Sequence, residues 1–349
     1  MHAEFFDRQP RRGALDPRFR GDDKTASPAT LEWLPFLDKR VLQEITSSPT
    51  TAEAMESGGC HHRQWQIAVE YSVRQSLLTT FTILILTLLG ATVGRADSIQ
   101  TKAPYAFLID ATTGKVLLQK NADTQMTPAS TTKILTAEII FGELTAGRLK
   151  LDDTMAISAK AAREGDADWG GSSMFARANS RVRVEDLLRG LLIASGNDAA
   201  IALAEGLAGS EEKFAGLMNR RAREIGMTRS TFTNPWGRGD AGQKVTPRDM
   251  ARLAAHVIST YPQYYKYFGE TEFTWNNIRQ LNRDPLLRLN IGADGLKTGH
   301  LAKSGFGLVG SAVQNGHRLI LVINGLKTDR ARADEAGKLL QWGFGALNG

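Results

Sequence analysis

Ser130 and Lys133 stand three residues apart in "MTPASTTKILTA", residues 126–137, just after a proline and just before an apolar run. A serine hydroxyl is a poor nucleophile until a neighbouring base takes its proton. On a helix, positions i and i+3 share a face, so the Lys133 amine can reach the Ser130 hydroxyl. The pair is not decisive alone. The same spacing recurs at Ser210 and Lys213 in "GSEEKF". There Glu211 and Glu212 make an acidic first turn, and Ser210 reads as a helix N-cap. Ser130, taken singly, could equally be a helix-start serine.

Two further elements follow in order: Ser195-Gly196-Asn197, then Lys297-Thr298-Gly299. Each is a cheap match, but their joint order is far more specific. A lysine acts as a base only when neutral, and burial beside a second cation lowers its pKa. Lys297 can supply that cation while staying charged itself. Ser195 can pass a proton towards a leaving amine. Asn197 can hold the lysine or a substrate amide. The run "KTGH", ahead of a strand, offers backbone N–H groups at an exposed edge. One of these, with the N–H of Ser130, could form an oxyanion hole.

These residues need elements to hold them. "YAFLIDATTGKVLLQKNAD" alternates apolar and polar residues around Gly114 and predicts a β-hairpin. Ile134, Leu135, Ile139 and Ile140 fall at helical spacing over residues 130–141, with Thr127 and Pro128 as the start signal. "VEDLLRGLLIASGNDAAIALAEGLAG" predicts two apolar helices broken at Ser-Gly-Asn-Asp. "SEEKFAGLMNRRAREIGM" and "TPRDMARLAAHVI" read as further amphipathic helices, the latter with Thr246 as N-cap and Pro247 in its first turn. After residue 300 the period returns to two, and Asn315-Gly316 marks a tight hairpin. "RADEAGKLLQWGF" closes the chain as a helix. Strands at both ends with helices between them predict an α+β fold, an antiparallel β-sheet flanked by helices with a mostly helical insertion.

Composition narrows the function. At 42% hydrophobic and 23% charged, the 349-residue chain is ordinarily globular. Its net charge of +6 is scattered, without a basic block or a stripe interleaved with aromatics, which argues against a nucleic-acid partner. Cys60 is the only cysteine, so no internal disulfide or cysteine-based metal site can form. The adjacent His61 and His62 have no acidic partner at ligand spacing, and no metal or cofactor is expected.

The first hundred residues stand apart. Residues 77–89, "LLTTFTILILTLL", are an apolar run with Arg74 ahead of them and small residues behind. Gly94 and Ala96 occupy the −3 and −1 places of a cleavage site, so residues 73–96 read as a secretory signal peptide. The run is short for a spanning helix of about 20 residues. Residues 1–72 have no helical or strand period and are expected to be a disordered leader, or a start placed too far upstream of Met55, Val69 or Val73. The expected catalytic domain is 97–349, which carries the whole +6 because residues 1–96 hold equal numbers of acidic and basic groups.

With the three motifs in order, the chain resembles the serine D-alanyl-D-alanine carboxypeptidases, low-molecular-mass penicillin-binding proteins with a β-lactamase/transpeptidase-like fold. The resemblance runs from about Ala103 to Phe344 and includes "ASTTKILTA", "TFTNPWG", "RDMARLA", "DGLKTGH" and "LLQWGF". It implies that Ser130 is the acylated nucleophile, Lys133 the general base, and Ser195 and Asn197 the second active-site pair. It implies substrate binding at Lys297, Thr298, Gly299, His300 and Arg283, the last helping to hold a terminal carboxylate. The implied substrate is the peptidoglycan stem peptide, cleaved in the periplasm, with β-lactams as covalent inhibitors and membrane contact only transient or through an uncleaved signal. Arg238 departs from the leucine expected there and alters the cleft rim. The chain ends some fifty residues after the K-T-G, so neither a C-terminal β-rich domain nor an anchoring helix is expected. A serine β-lactamase, an endopeptidase on the same scaffold and an inactive peptidoglycan-binding module are the rivals. The first would need a glutamate to activate the deacylating water, and Glu164 in "REGDADWGG" is the nearest candidate.

Overall fold

A computed structural model describes residues 99–165 and 171–348. The expected leader and signal peptide lie outside those residues. Strand β1 (Tyr105–Asp110) and β2 (Val116–Lys120) form the first hairpin. A 3-10 turn, Ala129–Thr132, leads into α1 (Lys133–Thr145). The short β3 (Thr154–Ala156), α2 (Ala159–Glu164) and β4 (Arg181–Arg183) follow. A helical stretch then runs through α3 (Val184–Leu192), α4 (Asn197–Ala208), α5 (Glu211–Ile225), α6 (Pro247–Thr260) and α7 (Pro262–Gly269). The hairpin β5 (Glu272–Trp275) and β6 (Ile278–Leu281) and a 3-10 turn, Pro285–Arg288, precede the last strands. These are β7 (Ala293–Leu301), β8 (Gly305–Gln314) and β9 (His317–Leu326), and α8 (Asp329–Asn348) ends the described chain.

The main sheet has the order β2-β1-β9-β8-β7, antiparallel throughout. Both of its faces are covered, which explains the nearly unbroken apolar runs of β8 and β9. Successive side chains of a strand point to opposite faces. Leu319, Leu321 and Ile323 therefore pack with Leu339, Leu340 and Phe344 of α8. Ile320 and Val322 join the larger core on the other side, with Ile134, Ile140, Leu188 and Ile201 of the helical layer. The Asn315-Gly316 turn takes φ of 49° and 80°, the left-handed pair that a two-residue hairpin needs. Thr246 and Ser210 cap their helices as read from sequence, accepting from the N–H groups of Asp249 and Lys213 at 3.1 and 3.2 Å.

Two local expectations need correction. The K-T-G does not lie ahead of a strand; it lies inside β7, at the edge of the sheet. "ADGLKTGH" mixes glycine and polar residues at both phases, so no alternation announces it. The pairing of β3 with β4 across α2, and the β5/β6 hairpin, use strands of three and four residues, too short for an alternation to show. Helix α1 begins at Lys133, after a 3-10 turn in which no side chain caps the start. Thr127 contributes its carbonyl instead, accepting from Asn324 Nδ2 at 3.3 Å.

Candidate active site

The Ser130–Lys133 pair sits where α1 begins, against the free edge of β7. Ala129, just before the serine, has φ of 50°. A left-handed alanine costs about 1–2 kcal/mol, and strain of this kind persists only where surrounding contacts impose it. Two glycines supply those contacts. A Cβ on Gly237, itself at φ 93°, would fall 1.9 Å from the Ala129 carbonyl oxygen. A Cβ on Gly299 of β7 would fall 2.9 Å from the Pro128 carbonyl oxygen and 3.3 Å from the Ser130 nitrogen. Glycine at both places lets backbone press on the serine turn from two sides.

Lys133 is fully buried. Its Nζ lies 3.0 Å from Ser130 Oγ, 2.8 Å from Asn197 Oδ1 and 2.9 Å from the Trp236 carbonyl oxygen. A neutral amine has two hydrogens and one lone pair. Two N–H groups donated to Asn197 and Trp236 leave the lone pair facing the serine hydroxyl. Burial holds the Lys133 amine well below the ordinary lysine range, and the charges of Lys297 and Arg283 add to that, with Asp198 opposing. Asn197 is the first residue of α4, and its Nδ2 donates to the Glu164 carbonyl oxygen at 3.3 Å. Ser195, buried and at φ 62°, forms the bend between α3 and α4.

Ser130 and Ser195 open onto one cavity of about 470 Å³, lined also by Thr298, Gly299, His300 and Arg283. Lys133, Asn197 and Lys297 are buried and lie outside that lining: Lys133 reaches it through Ser130, Asn197 touches Lys133, and Lys297 precedes Thr298 in β7. His300 is exposed and stacks on Phe306, ring centroids 3.9 Å apart. Arg283 donates to Ser172 Oγ at 2.6 Å. Its segment is tied in turn to α4, because the Ser172 carbonyl accepts from Asn197 N at 2.6 Å and Asp198 accepts from Ser173 Oγ and from the N–H groups of Met174 and Ala176. Lys297 is buried and its amine is pulled down to about 7, by burial first and then by Arg283 and Arg332. Among the described residues its amine donates only to the Thr298 carbonyl oxygen, at 3.2 Å.

Several functional groups escaped the sequence. Arg288 and Arg332 join Arg283 on the cavity wall, with Asp329 as the only carboxylate in that lining. They come from a 3-10 turn and from α8, and nothing in "RARADEAG" distinguishes Arg332 from a surface arginine. The Trp236 carbonyl is invisible to motif reading because backbone does the work. A signal did exist: the turn-forming cluster Asn234-Pro235-Trp236-Gly237. Buried Asn234 accepts through Oδ1 from the N–H groups of Gly237 and Arg238 at 2.7 and 3.0 Å, which aims that loop at Lys133. Arg238 pairs with Asp240 at 2.8 Å and lies over the Trp236 ring.

Residues 92–328 match the family of D-alanyl-D-alanine carboxypeptidases, peptidase S11. The chain belongs to that family. It is 46% identical over 239 residues to D-alanyl-D-alanine carboxypeptidase DacC of Escherichia coli (strain K12), covering 68% of this chain and 60% of that protein. The chain thus spans about three fifths of the length of that relative. The crystal structure of penicillin binding protein 5 from Haemophilus influenzae aligns with a TM-score of 0.68 at 39% identity, over 71% of this chain and 72% of that one. Penicillin-Binding Protein D2 from Listeria monocytogenes, in its ampicillin-bound form, aligns with a TM-score of 0.63 at 27% identity, over 70% and 98%. These likenesses accord with the α+β, transpeptidase-like fold expected from the element order. The one cavity thus carries Arg283, Arg288 and Arg332 together with Ser130, whose hydroxyl lies 3.0 Å from the Lys133 amine.

Proposed function

We propose that the protein is a serine-type D-alanyl-D-alanine carboxypeptidase that removes the terminal D-alanine from peptidoglycan pentapeptides in the periplasm, and that β-lactams acylate it. The observation that carries this reading is the Lys133 amine, within hydrogen-bonding distance of Ser130 Oγ and two carbonyl-type acceptors. The terminal carboxylate of the peptide is drawn to the end of the cavity walled by Arg283, Arg288 and Arg332. That leaves the penultimate carbonyl carbon facing Ser130.

Neutral Lys133 takes the Ser130 proton as Oγ attacks that carbon. The oxyanion accepts from the Ser130 N–H and from a backbone N–H at the β7 edge. Collapse breaks the C–N bond, and the departing amine receives a proton through Ser195. Water then hydrolyses the Ser130 ester, which restores the serine and frees the shortened peptide. Among the described residues no carboxylate hydrogen-bonds to Ser130 or Lys133, so nothing here favours the β-lactamase reading with Glu164 over the peptidase. Release of D-alanine from diacetyl-L-Lys-D-Ala-D-Ala, measured beside nitrocefin hydrolysis, tests the proposal. Peptidase turnover with negligible nitrocefin turnover is expected; rapid nitrocefin turnover without D-alanine release would reverse it.

A further inference from the structure

The substrate cavity holds more positive charge than a terminal alanine engages. Three guanidiniums line it: Arg283 before the 3-10 turn Pro285–Arg288, Arg288 at the end of that turn, and Arg332 on α8. Asp329, the one carboxylate of the lining, is already paired with Arg332 at 2.5 Å. Arg283 donates to Ser172 Oγ at 2.6 Å and Arg288 to the Asn282 carbonyl oxygen at 3.0 Å, and neither pairs with a carboxylate among the described residues. Asp284, at the start of the same turn, is buried outside the lining, and its Oδ1 accepts the Leu286 N–H at 3.0 Å. At about 470 Å³ the cavity also exceeds what one methyl side chain and its carboxylate fill.

An apolar strip separates the serine from part of this wall. Phe306 of β8 is the cross-strand partner of His300 of β7, and their rings stack with centroids 3.9 Å apart. The Arg332 guanidinium lies over the same Phe306 ring, 5.9 Å from its centroid. A methylene stem packs on such a ring while its charged end reaches past it. Arg283 stands on the other side, beside Ser195 and Asn197, because the Ser172 that holds it accepts the Asn197 N–H through its carbonyl oxygen at 2.6 Å. One guanidinium takes a carboxylate through two parallel hydrogen bonds. With the terminal carboxylate on Arg283, and Arg332 held by Asp329, Arg288 is the cation without an anion. We propose that Arg288 is a specificity-determining residue that takes a second carboxylate, so that the enzyme releases acidic D-amino acids of the D-glutamate class as well as D-alanine.

The bonds made and broken are those of the peptidase reaction. Ser130 Oγ bonds to the penultimate carbonyl carbon, the C–N bond to the last residue breaks, and its amine takes the proton and leaves as free D-glutamate. Water then cleaves the Ser130 ester. What differs is the seat of the leaving residue: its methylene stem lies along Phe306 and its side-chain carboxylate meets Arg288. A D-glutamine side chain has the same shape and no charge to pair. A D-lysine side chain brings a cation towards three guanidiniums. The inference rests on the peptidase reading for turnover, but not for binding of the acidic residue.

The test gives the full chain diacetyl-L-Lys-D-Ala peptides ending in D-alanine, D-glutamate, D-glutamine or D-lysine, and follows release of the last residue. The kcat/KM for D-glutamate should exceed that for D-glutamine about tenfold, and D-lysine should be the poorest. Added salt should shrink the gap between D-glutamate and D-glutamine. Arg288→Gln should bring those two rates together, whereas Asp329→Asn, which frees Arg332, should widen the gap. Arg288 is exposed, so its replacement leaves the core intact, and the ratio of the two rates is read because capture of every peptide weakens in this variant. Calorimetry on Ser130→Ala, which does not turn over, should give the same preference as a ratio of Kd values, lost when Arg288→Gln is added. Equal rates and affinities for the D-glutamate and D-glutamine peptides, or a preference that survives Arg288→Gln, overturns the inference. Absence of D-alanine release from the wild-type protein refutes the peptidase reading instead, and the Kd ratio still decides the role of Arg288.

Discussion

Substituting Asn197 by aspartate puts the lone-pair argument for Lys133 under direct stress. The change is nearly isosteric and preserves an acceptor for the Lys133 amine, which lies 2.8 Å from Asn197 Oδ1. What it adds is a charge. Two unit charges at that separation attract by about 6 kcal/mol at an effective dielectric constant of about 20. That energy favours protonated Lys133 over the neutral base. With about 1.4 kcal/mol per factor of ten, the neutral fraction falls by up to about 10⁴-fold. Acylation by penicillin at pH 7.5 should drop by about that factor, while circular dichroism and thermal unfolding remain close to wild type. The pH dependence is the sharper readout. Any titration the two proteins share cancels in the ratio of variant to wild-type rates, which should climb about tenfold per pH unit as the pH rises. A variant that acylates within tenfold of wild type, with a flat ratio across pH, would show that Lys133 is not required to be neutral.

Three further outcomes follow from the same geometry. Lys133→Arg should abolish acylation as fully as Ser130→Ala, because a guanidinium cannot act as a base, whereas Lys297→Arg should retain activity reduced about 10- to 1000-fold; equal acylation rates for the two arginine variants refute the division of roles. Gly237→Ala must displace the Ala129 carbonyl, 1.9 Å from the new methyl group, and forces alanine to φ 93°; it should cost about 1–3 kcal/mol of stability and a larger factor in acylation, read by denaturant unfolding and by stopped-flow labelling. Asp284, buried at the start of the 3-10 turn Pro285–Arg288, has its carboxyl raised by burial to about 6 from 3.8, so the folded state holds its proton more tightly and stability falls as pH rises through that window, by about 3 kcal/mol in all. Asp284→Asn should therefore gain stability relative to wild type at pH 7.5 but not at pH 3.5, and a pH-independent difference in Tm would contradict this.

Much of the architecture could be read before any coordinates, and the reasons are local. Asn315-Gly316 encodes its own turn, Thr246-Pro247 its own helix start, and the apolar phase of α3 and α4 their burial. The three motifs were legible because a helix start, a bend and a strand each announce a fixed spacing. What could not be read depends on contacts between distant segments. β7 carries Lys297 as an edge strand whose glycine has to pass the Ser130 turn, and that demand comes from the partner backbone rather than from any alternation of its own. Arg332 and Arg288 reach the cavity from α8 and a 3-10 turn, where their neighbours in sequence say nothing about it. The Trp236 carbonyl holds Lys133 through an atom every residue has. The burial of Lys297 beside Arg283 and Arg332 is likewise a property of the packed fold.

The central claim is that Ser130 becomes acylated through Lys133, and intact-mass spectrometry with benzylpenicillin tests it most directly. The full chain should gain the mass of one penicilloyl group, the modified peptide should be the one containing Ser130, and Ser130→Ala and Lys133→Arg should gain none. A penicilloyl group that persists in Ser130→Ala, or that maps to the peptide containing Ser210, would contradict the account.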